Sequence, residues 1–522
     1  MHDAINVAVI VAYLVVIALI GLKLSGRQKS AEDYFTGEKS LPWWAVMGSI
    51  VATETSTLTV ISVPGVAYLT NFSYVELAFG YIIGRTMVSF VLLPLYFKGG
   101  FVSAYQYLGE RFGRHVQGLA SVTFLVTRLL AEGVRLFASA IPIKLLLDEL
   151  GVNVNYFVII LVLSLITVAY TYVGGIKAVI WTDVIQMTLY LGGAVVCIVV
   201  LLGHTGFSAF GKALDGGKFE IFQVGSSSDW TFFNIVTNPY AFVTAIIGGA
   251  IFGMASHGSD QLIAQRVLAT KSLSDGRKAM IGSGIAVTVQ FALFSLVGAL
   301  LWVYKDGASL DKLGFASSDS IFPDFVLNGL PVGLSGLLIA GILAATMGSL
   351  SSALNSLSNS TVADIITAWF GRKPSPDTML TIARYATLAW TAVMVVFASL
   401  FDDTGNQVVV VGLSITGYTY GAMLGAFLLG LLIKRADQVA AAVALVVTVA
   451  VMAWIVLRVK VTPGGEILWW EASKAKGLGL AFPWFVPAGV IITLVVGGLI
   501  SLVRPRRDAT PPDALERAKV LS

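Results

Sequence analysis

In TMGSLSSALNSLSNST, residues 346–361, eight of sixteen side chains carry hydroxyls inside a stretch that otherwise reads as apolar helix. On a helix Ala345, Ser349 and Ser352 share one face at spacings of four and three, with Ser351 displaced to one side. A hard monovalent cation such as sodium takes oxygen ligands, by the logic that governs calcium and magnesium. A carbonyl beside Ala345 and the Ser349 hydroxyl could supply part of such a shell. A small-residue packing face is the alternative, although alanine or glycine would pack without leaving polar atoms to satisfy. A second oxygen source is LPWWAVMGSIVATETSTLTVISVPGVAY, residues 41–68, whose polar centre ATETST has Pro64 and glycines nearby. A helix interrupted there frees carbonyls that can hold a small cation, because irregular backbone at membrane depth survives where it is buried in protein or lines a cavity.

Ionisable residues within apolar stretches are costly and mark functional sites by default. Here they are Glu54, Glu76, Arg85, Arg128, Glu132, Arg135, Lys144, Asp183 and Asp260. Arg128 and Glu132, four apart, are expected to pair along one helix. Arg85 and Lys144 lie near helix ends and are expected to snorkel. Glu54, Arg135 and Asp183 have no obvious local partner and are the stronger candidates for binding an ion or solute.

These residues are carried by a chain of 522 residues that is 56% hydrophobic and 12% charged, with a mean hydropathy of +0.83. Such a composition indicates a polytopic membrane protein, not a soluble domain. A hydrocarbon core about 30 Å thick requires about 20 apolar residues per helix. Thirteen spans are expected, near 5–24, 42–68, 75–97, 118–147, 155–172, 180–203, 240–265, 280–304, 330–366, 378–401, 407–433, 437–457 and 483–503. The first run has basic residues after it and none before it, which fits a retained helix with its N-terminus outside. With the C-terminus then inside, 22 of the 34 Lys and Arg fall in inside segments and eight in outside loops. Cys197 is the single cysteine, so no intramolecular disulfide can form. Inside loops and the C-terminal tail account for the net charge of +4, which calls for no nucleic-acid partner. Four histidines without an HExxH or paired-aspartate motif give no support to an enzyme. AIIGGAIFGMASHGSDQLIAQR, residues 245–266, is glycine-broken like the second span and lies five spans later. Five is odd, so the two groups opposed in the membrane suit an inverted repeat around a central site.

Three stretches, LPWWAVMGSIVATETS, YVGGIKAVIWTDVIQ (172–186) and LAATMGSLSSALNS (343–356), resemble the sodium:solute symporter family, with a weaker match at SDQLIAQRVLATKSL (259–273). The resemblance runs from about residue 41 to 435. It implies an all-α membrane protein with a five-plus-five inverted-repeat core, discontinuous first and sixth core helices, and sodium-coupled import by alternating access. The expected organisation is an extra N-terminal helix and loop (1–40), a first repeat (41–204), an extracellular loop (205–239), a second repeat (240–433), additional helices (434–503) and a cytoplasmic tail (504–522). Carried over by motif, a sodium site falls on Ala52, Thr55, Ala345, Gly348 and Ser349. Gly348 departs from the pattern, since many relatives have a hydroxyl there, and either another ligand, such as water, serves or sodium binds more weakly. A second sodium site would use Asp183, Ser351 and Ser352, so one or two Na+ ions are expected. Solute-binding positions are Glu54, Ser56, Thr59, Glu76, Arg135, Asp260 and Gln261. An arginine favours an organic acid, sugar acid or amino acid, and Leu58 and Thr59 replace the Glu and Gln of hexose carriers. A sugar substrate, a proton-coupled carrier, a uniporter and a transporter-like sensor remain alternatives. The expected partners are a small-molecule solute and the lipid bilayer of the plasma (inner) membrane. The oligomeric state stays open, a monomer included.

Overall fold

The computed structural model describes residues 2–24, 30–55, 57–149, 152–315, 317–372, 374–400, 408–471 and 476–504. Each of the thirteen expected stretches carries helix. Among the described residues nine helices are long and apolar enough to cross a membrane, and up to ten if a bent pair counts as one span. Three of the thirteen stretches fall short of that test for physical reasons. The apolar part of the first helix is Ile5–Gly21. The helix Arg114–Glu149 carries Arg128, Glu132, Arg135 and Lys144. The stretch at 240–265 is divided into shorter pieces.

The helices that shape the centre are α1 (Trp43–Glu54), α2 (Thr57–Leu69), α3 (Ser73–Val91), α4 (Arg114–Glu149), α5 (Tyr156–Thr205), α6 (Gly249–Gly258), α7 (Gln261–Leu268), α8 (Leu273–Tyr304), α9 (Leu334–Ser360) and α10 (Val408–Leu432). Thr55 ends α1 in an extended conformation, with φ −76° and ψ 90°. The chain there bends by 65° between Trp43–Glu54 and Thr59–Leu69. A second interruption falls at Asp260, φ −91° and ψ 122°, whose side chain accepts a hydrogen bond from the Leu262 amide at 2.9 Å and so caps α7.

Helix α5 is kinked at Gly175, where φ is +54°. A Cβ at that position would also meet Tyr34, its Cδ2 at 2.8 Å, so both backbone freedom and space require glycine. The kink separates Tyr156–Val173 from Gly175–Thr205, the half that carries Asp183. Helix α9 is the most enclosed: 94% of the apolar window in Leu334–Trp369 is buried. It packs against α4 and both parts of the bent pair as well as α5, so every face, the hydroxyl-bearing one included, meets protein.

A small cap covers the end of the molecule where α2 finishes. It contains a three-stranded antiparallel sheet (Lys460–Val461, Ile467–Leu468, Leu478–Gly479) with the first strand in the middle. The Ala481 amide joins it to Val236 O at 2.7 Å. Lys218 also closes this end, donating to Tyr68 O and Thr70 O at 2.8 Å each, where its ammonium meets the last carbonyls of α2.

Candidate functional site

A cavity of about 140 Å³ opens beside the α1–α2 interruption. Thr53, Glu54 and Thr59 come from the interrupted segment, Tyr74 and Tyr81 from α3, Arg128 and Arg135 from α4, and Thr416 and Tyr420 from α10. His257, Phe252 and Tyr240 close another side. The broken helix places side chains where an intact one would place a continuous backbone.

Glu54 pairs with Arg85, and His257 Nε2 lies 3.6 Å from the same carboxylate. Arg85 also donates to Ser283 Oγ at 2.8 Å and is fully buried. The snorkelling expected of Arg85 is therefore corrected: α3 turns it inward to a carboxylate distant in sequence, which meets its charge without reaching the membrane surface. Lys144, by contrast, pairs with Asp148 near the end of α4.

The expected Arg128–Glu132 pair forms, at 3.1 Å. Arg128 additionally binds Asp260 and donates to the Tyr420 hydroxyl at 2.7 Å, and Tyr420 donates to Asp260 at 2.6 Å. Its charge is thus enclosed by partners from three elements. Arg135 donates only Nη1, to Glu132 at 2.8 Å, and its Nε has no hydrogen-bond partner. Its side chain is 19% exposed, against 5% for Arg128, which leaves Arg135 with donors to offer in the cavity.

Of the candidate solute residues, Glu54, Thr59 and Arg135 meet in this cavity. Asp260 stands behind it on Arg128. Gln261 is occupied elsewhere, accepting from the Ala104 amide at 2.7 Å and donating to Val102 O at 3.2 Å. Glu76 is fully buried, with neither carboxylate oxygen hydrogen-bonded. Ser56 lies outside the described residues. The sequence reasoning missed Tyr74, Tyr240, Phe252, Phe291 and His257. Isolated aromatic residues on separate helices carry no local signal that they will share a cavity.

Behind the cavity, α9 lies against the interruption. The Ser349 hydroxyl reaches Thr53 O at 3.5 Å. The Thr55 hydroxyl donates to Val51 O at 2.8 Å and shares hydrogen bonds with the Gln290 amide at 2.6 and 2.9 Å. Ala52 and Ala345 are each 1% exposed, and Gly348 faces α5. These surroundings are buried and rich in oxygen, which suits a hard monovalent ion.

Asp183 is fully buried nearby. Its Oδ2 accepts from Ser49 Oγ at 2.6 Å and lies 3.4 Å from Arg266 Nη2 and 3.5 Å from Ser352 Oγ. Arg266 also donates to Ser352 and, at 2.9 Å, to Ser49 Oγ. An arginine, which the sequence reasoning did not single out, therefore holds one side of Asp183 together with Ser352. Ser351 donates to Gly348 O at 3.0 Å. Asp183 Oδ1 has no hydrogen-bond partner.

Residues 34–448 match the model of the sodium:solute symporter family. The chain is 30% identical over 460 residues to the sodium/sialic acid symporter SiaT of Proteus mirabilis, covering 86% of this chain and 89% of that one. It is 27% identical to the sodium/sialic acid symporter NanT of Aliivibrio fischeri, over 86% of this chain and 87% of the relative. A solved structure of a Na+-coupled sialic acid symporter in a substrate-bound outward-open state superposes with a TM-score of 0.81 at 27% identity, covering 96% of this chain and 98% of the other. With the family matched over most of its length and the architecture shared, the chain belongs to the sodium:solute symporter family.

Proposed function

We propose that this sodium-coupled symporter imports a small carboxylate-bearing solute, such as an organic acid, sugar acid or amino acid, by alternating access. The observation that carries the proposal is Arg135, a guanidinium on the cavity wall that is partly exposed and has one ion-pair contact, through Nη1. A planar guanidinium engages a carboxylate through two parallel hydrogen bonds. Tyr74, Tyr240, Phe252 and Phe291 supply apolar walls for the rest of the solute, and Thr59 and Ser62 supply hydroxyls. Glu54, already neutralised by Arg85, can accept a hydrogen bond from the solute without opposing its charge. The names of the sialic acid relatives, sialic acid being a sugar acid, agree with this substrate class.

Sodium binds between the end of α1 and the middle of α9, at Ala52, Thr55, Ala345 and Ser349 with the backbone of Gly348. A second ion, at Asp183 with Ser351 and Ser352, is the further element of this proposal. The two repeats span 41–204 and 240–433, with the N-terminus outside and the tail inside. One sodium crossing 100 mV contributes about 2.3 kcal/mol, and a tenfold gradient adds about 1.4. Together they support about 500-fold accumulation of a solute with no net charge, such as a zwitterionic amino acid, and a second ion would square that ratio; a monoanion carried with one sodium moves no net charge and is accumulated about tenfold by the gradient alone.

The test is thermal unfolding of the detergent-purified protein against amino acids, sugars, sugar acids and monocarboxylates, each in sodium and in potassium. A ligand bound only by the native state raises its stability by mass action. Stabilisation by carboxylates in sodium alone is expected. Equal shifts in both salts would overturn sodium coupling, and a response confined to neutral sugars would overturn the role of Arg135.

A further inference from the structure

Gly348 faces a group of buried polar atoms without partners. Both amide atoms of Gln186 are buried without a hydrogen bond of normal geometry, as is Asp183 Oδ1, although the hydroxyls of Tyr13 and Tyr170 lie beside the amide. Buried polar atoms are nearly always paired in folded proteins, and exceptions point to strain, water or an ion. These atoms converge on one place. A Cβ built on Gly348 would lie 2.7 Å from Gln186 Oε1 and 3.2 Å from Asp183 Oδ1. The missing side chain thus lets an amide oxygen approach α9 beside a carboxylate oxygen, with the Ser351 hydroxyl on the next turn bonded to Gly348 O.

We infer that Gln186 is a cation ligand of this chain, supplying beside Asp183 the oxygen that Gly348 lacks. The inference rests on the proposal that Asp183 belongs to a sodium site, and it identifies the side of Asp183 that the ion meets. Oδ2 is taken by Ser49, Ser352 and Arg266. The ion therefore approaches Oδ1, with Gln186 Oε1 and Ser351 Oγ, and Gln186 takes the ligand place first given to Ser352, which is bonded to Arg266. Arg266 already balances the charge of Asp183, so a cation enters a site whose net charge is zero. Neutral oxygens then decide whether binding is favourable, because ligand number and charge tune the affinity of such sites. Sodium is held by ion–dipole contacts, and no proton or covalent bond changes hands.

The experiment titrates sodium into the purified full-length protein without solute and follows its unfolding temperature, with potassium as control. Gln186→Leu should raise the midpoint sodium concentration about tenfold or more, as loss of one oxygen ligand predicts, while leaving the unfolding temperature in potassium near wild type. Gln186→Glu keeps an oxygen in place and should preserve or tighten binding. Gly348→Ser combined with Gln186→Ala exchanges one oxygen source for another and should recover affinity lost in Gln186→Ala alone. A packing role for Gln186 would not produce that rescue. A wild-type midpoint in Gln186→Leu, with a shifted midpoint in Asp183→Asn, would overturn the inference alone. An unchanged midpoint in Asp183→Asn would instead overturn the parent proposal of an ion at Asp183.

Discussion

Arg128 and Arg135 lie on the same helix and have opposite surroundings. Arg128 holds Glu132, Asp260 and Tyr420 together in the interior, so Arg128→Ala would leave the buried Asp260 without its cation and Glu132 with Arg135 alone. Removing one partner from a buried ion network costs about 3–5 kcal/mol, and thermal unfolding should show a loss of that order. Arg135→Ala removes one partly exposed contact and should unfold near the wild-type temperature, yet lose carboxylate binding about tenfold or more. The reverse result, with solute affinity lost only in Arg128→Ala, would assign recognition to the enclosed arginine. At the ion sites, Ser349→Ala should raise the sodium concentration needed for half-maximal transport, and Asp183→Asn should lower the number of sodium ions carried per solute. Sodium activation curves and paired fluxes of labelled sodium and solute measure the two effects. An unchanged curve would remove Ser349 from the sodium site, and an unchanged ratio would remove Asp183 from ion coupling.

Helix interruptions were the part of the architecture most legible in the sequence, because ATETST with Pro64 and the glycine-rich GMASHGSDQ are poor continuous helix. What ends the second of them is a particular contact, the cap of Asp260 on the Leu262 amide. The short turn Ser318–Ser320 shows how a neighbouring element bears on the broken helix. It packs on α2, where a Cβ on Gly65 would lie 2.9 Å from Ser318 C. Burial raises the pKa of Asp319 in this turn above its ordinary 3.8, with Ser62 partly offsetting the rise. A carboxyl whose folded pKa is raised stabilises the fold fully below its unfolded pKa, and that contribution is lost as pH rises through the folded value. Asp319→Asn should therefore gain stability over wild type as pH increases from about 4 to 7. Unfolding temperatures measured across that range check the sign, and a difference independent of pH would remove Asp319 as the cause.

In the whole molecule the cavity lies along α2, its lining reaching Val66, and α9 lies on the other side of the interruption with buried side chains. Because Cys197 is the single cysteine and is fully buried, one introduced thiol reports each side. Val66→Cys on the cavity wall should react with an external thiol reagent in sodium. Ser356→Cys, on fully buried α9, should be protected in sodium and should gain reactivity from the inside in potassium. Equal labelling of both variants in both salts would contradict alternating access.

By itself the sequence determined the solvent the chain folds in, the approximate helix boundaries and the residues too costly to bury without purpose. Each depends on local chemistry: apolar run length, glycine and proline, or a charge within an apolar stretch. The motif around residues 346–361 was equally visible, and the burial of its residues as far as Ser360 agrees with hydroxyls turned toward protein. Only the tertiary structure decided the pairings. Arg85 meets Glu54, Arg266 meets Asp183, and Gln186 enters the space beside Gly348 because helix crossings bring residues far apart in sequence to one depth. A crossing is the sum of many packing contacts over both helices, and no short stretch of sequence contains that sum.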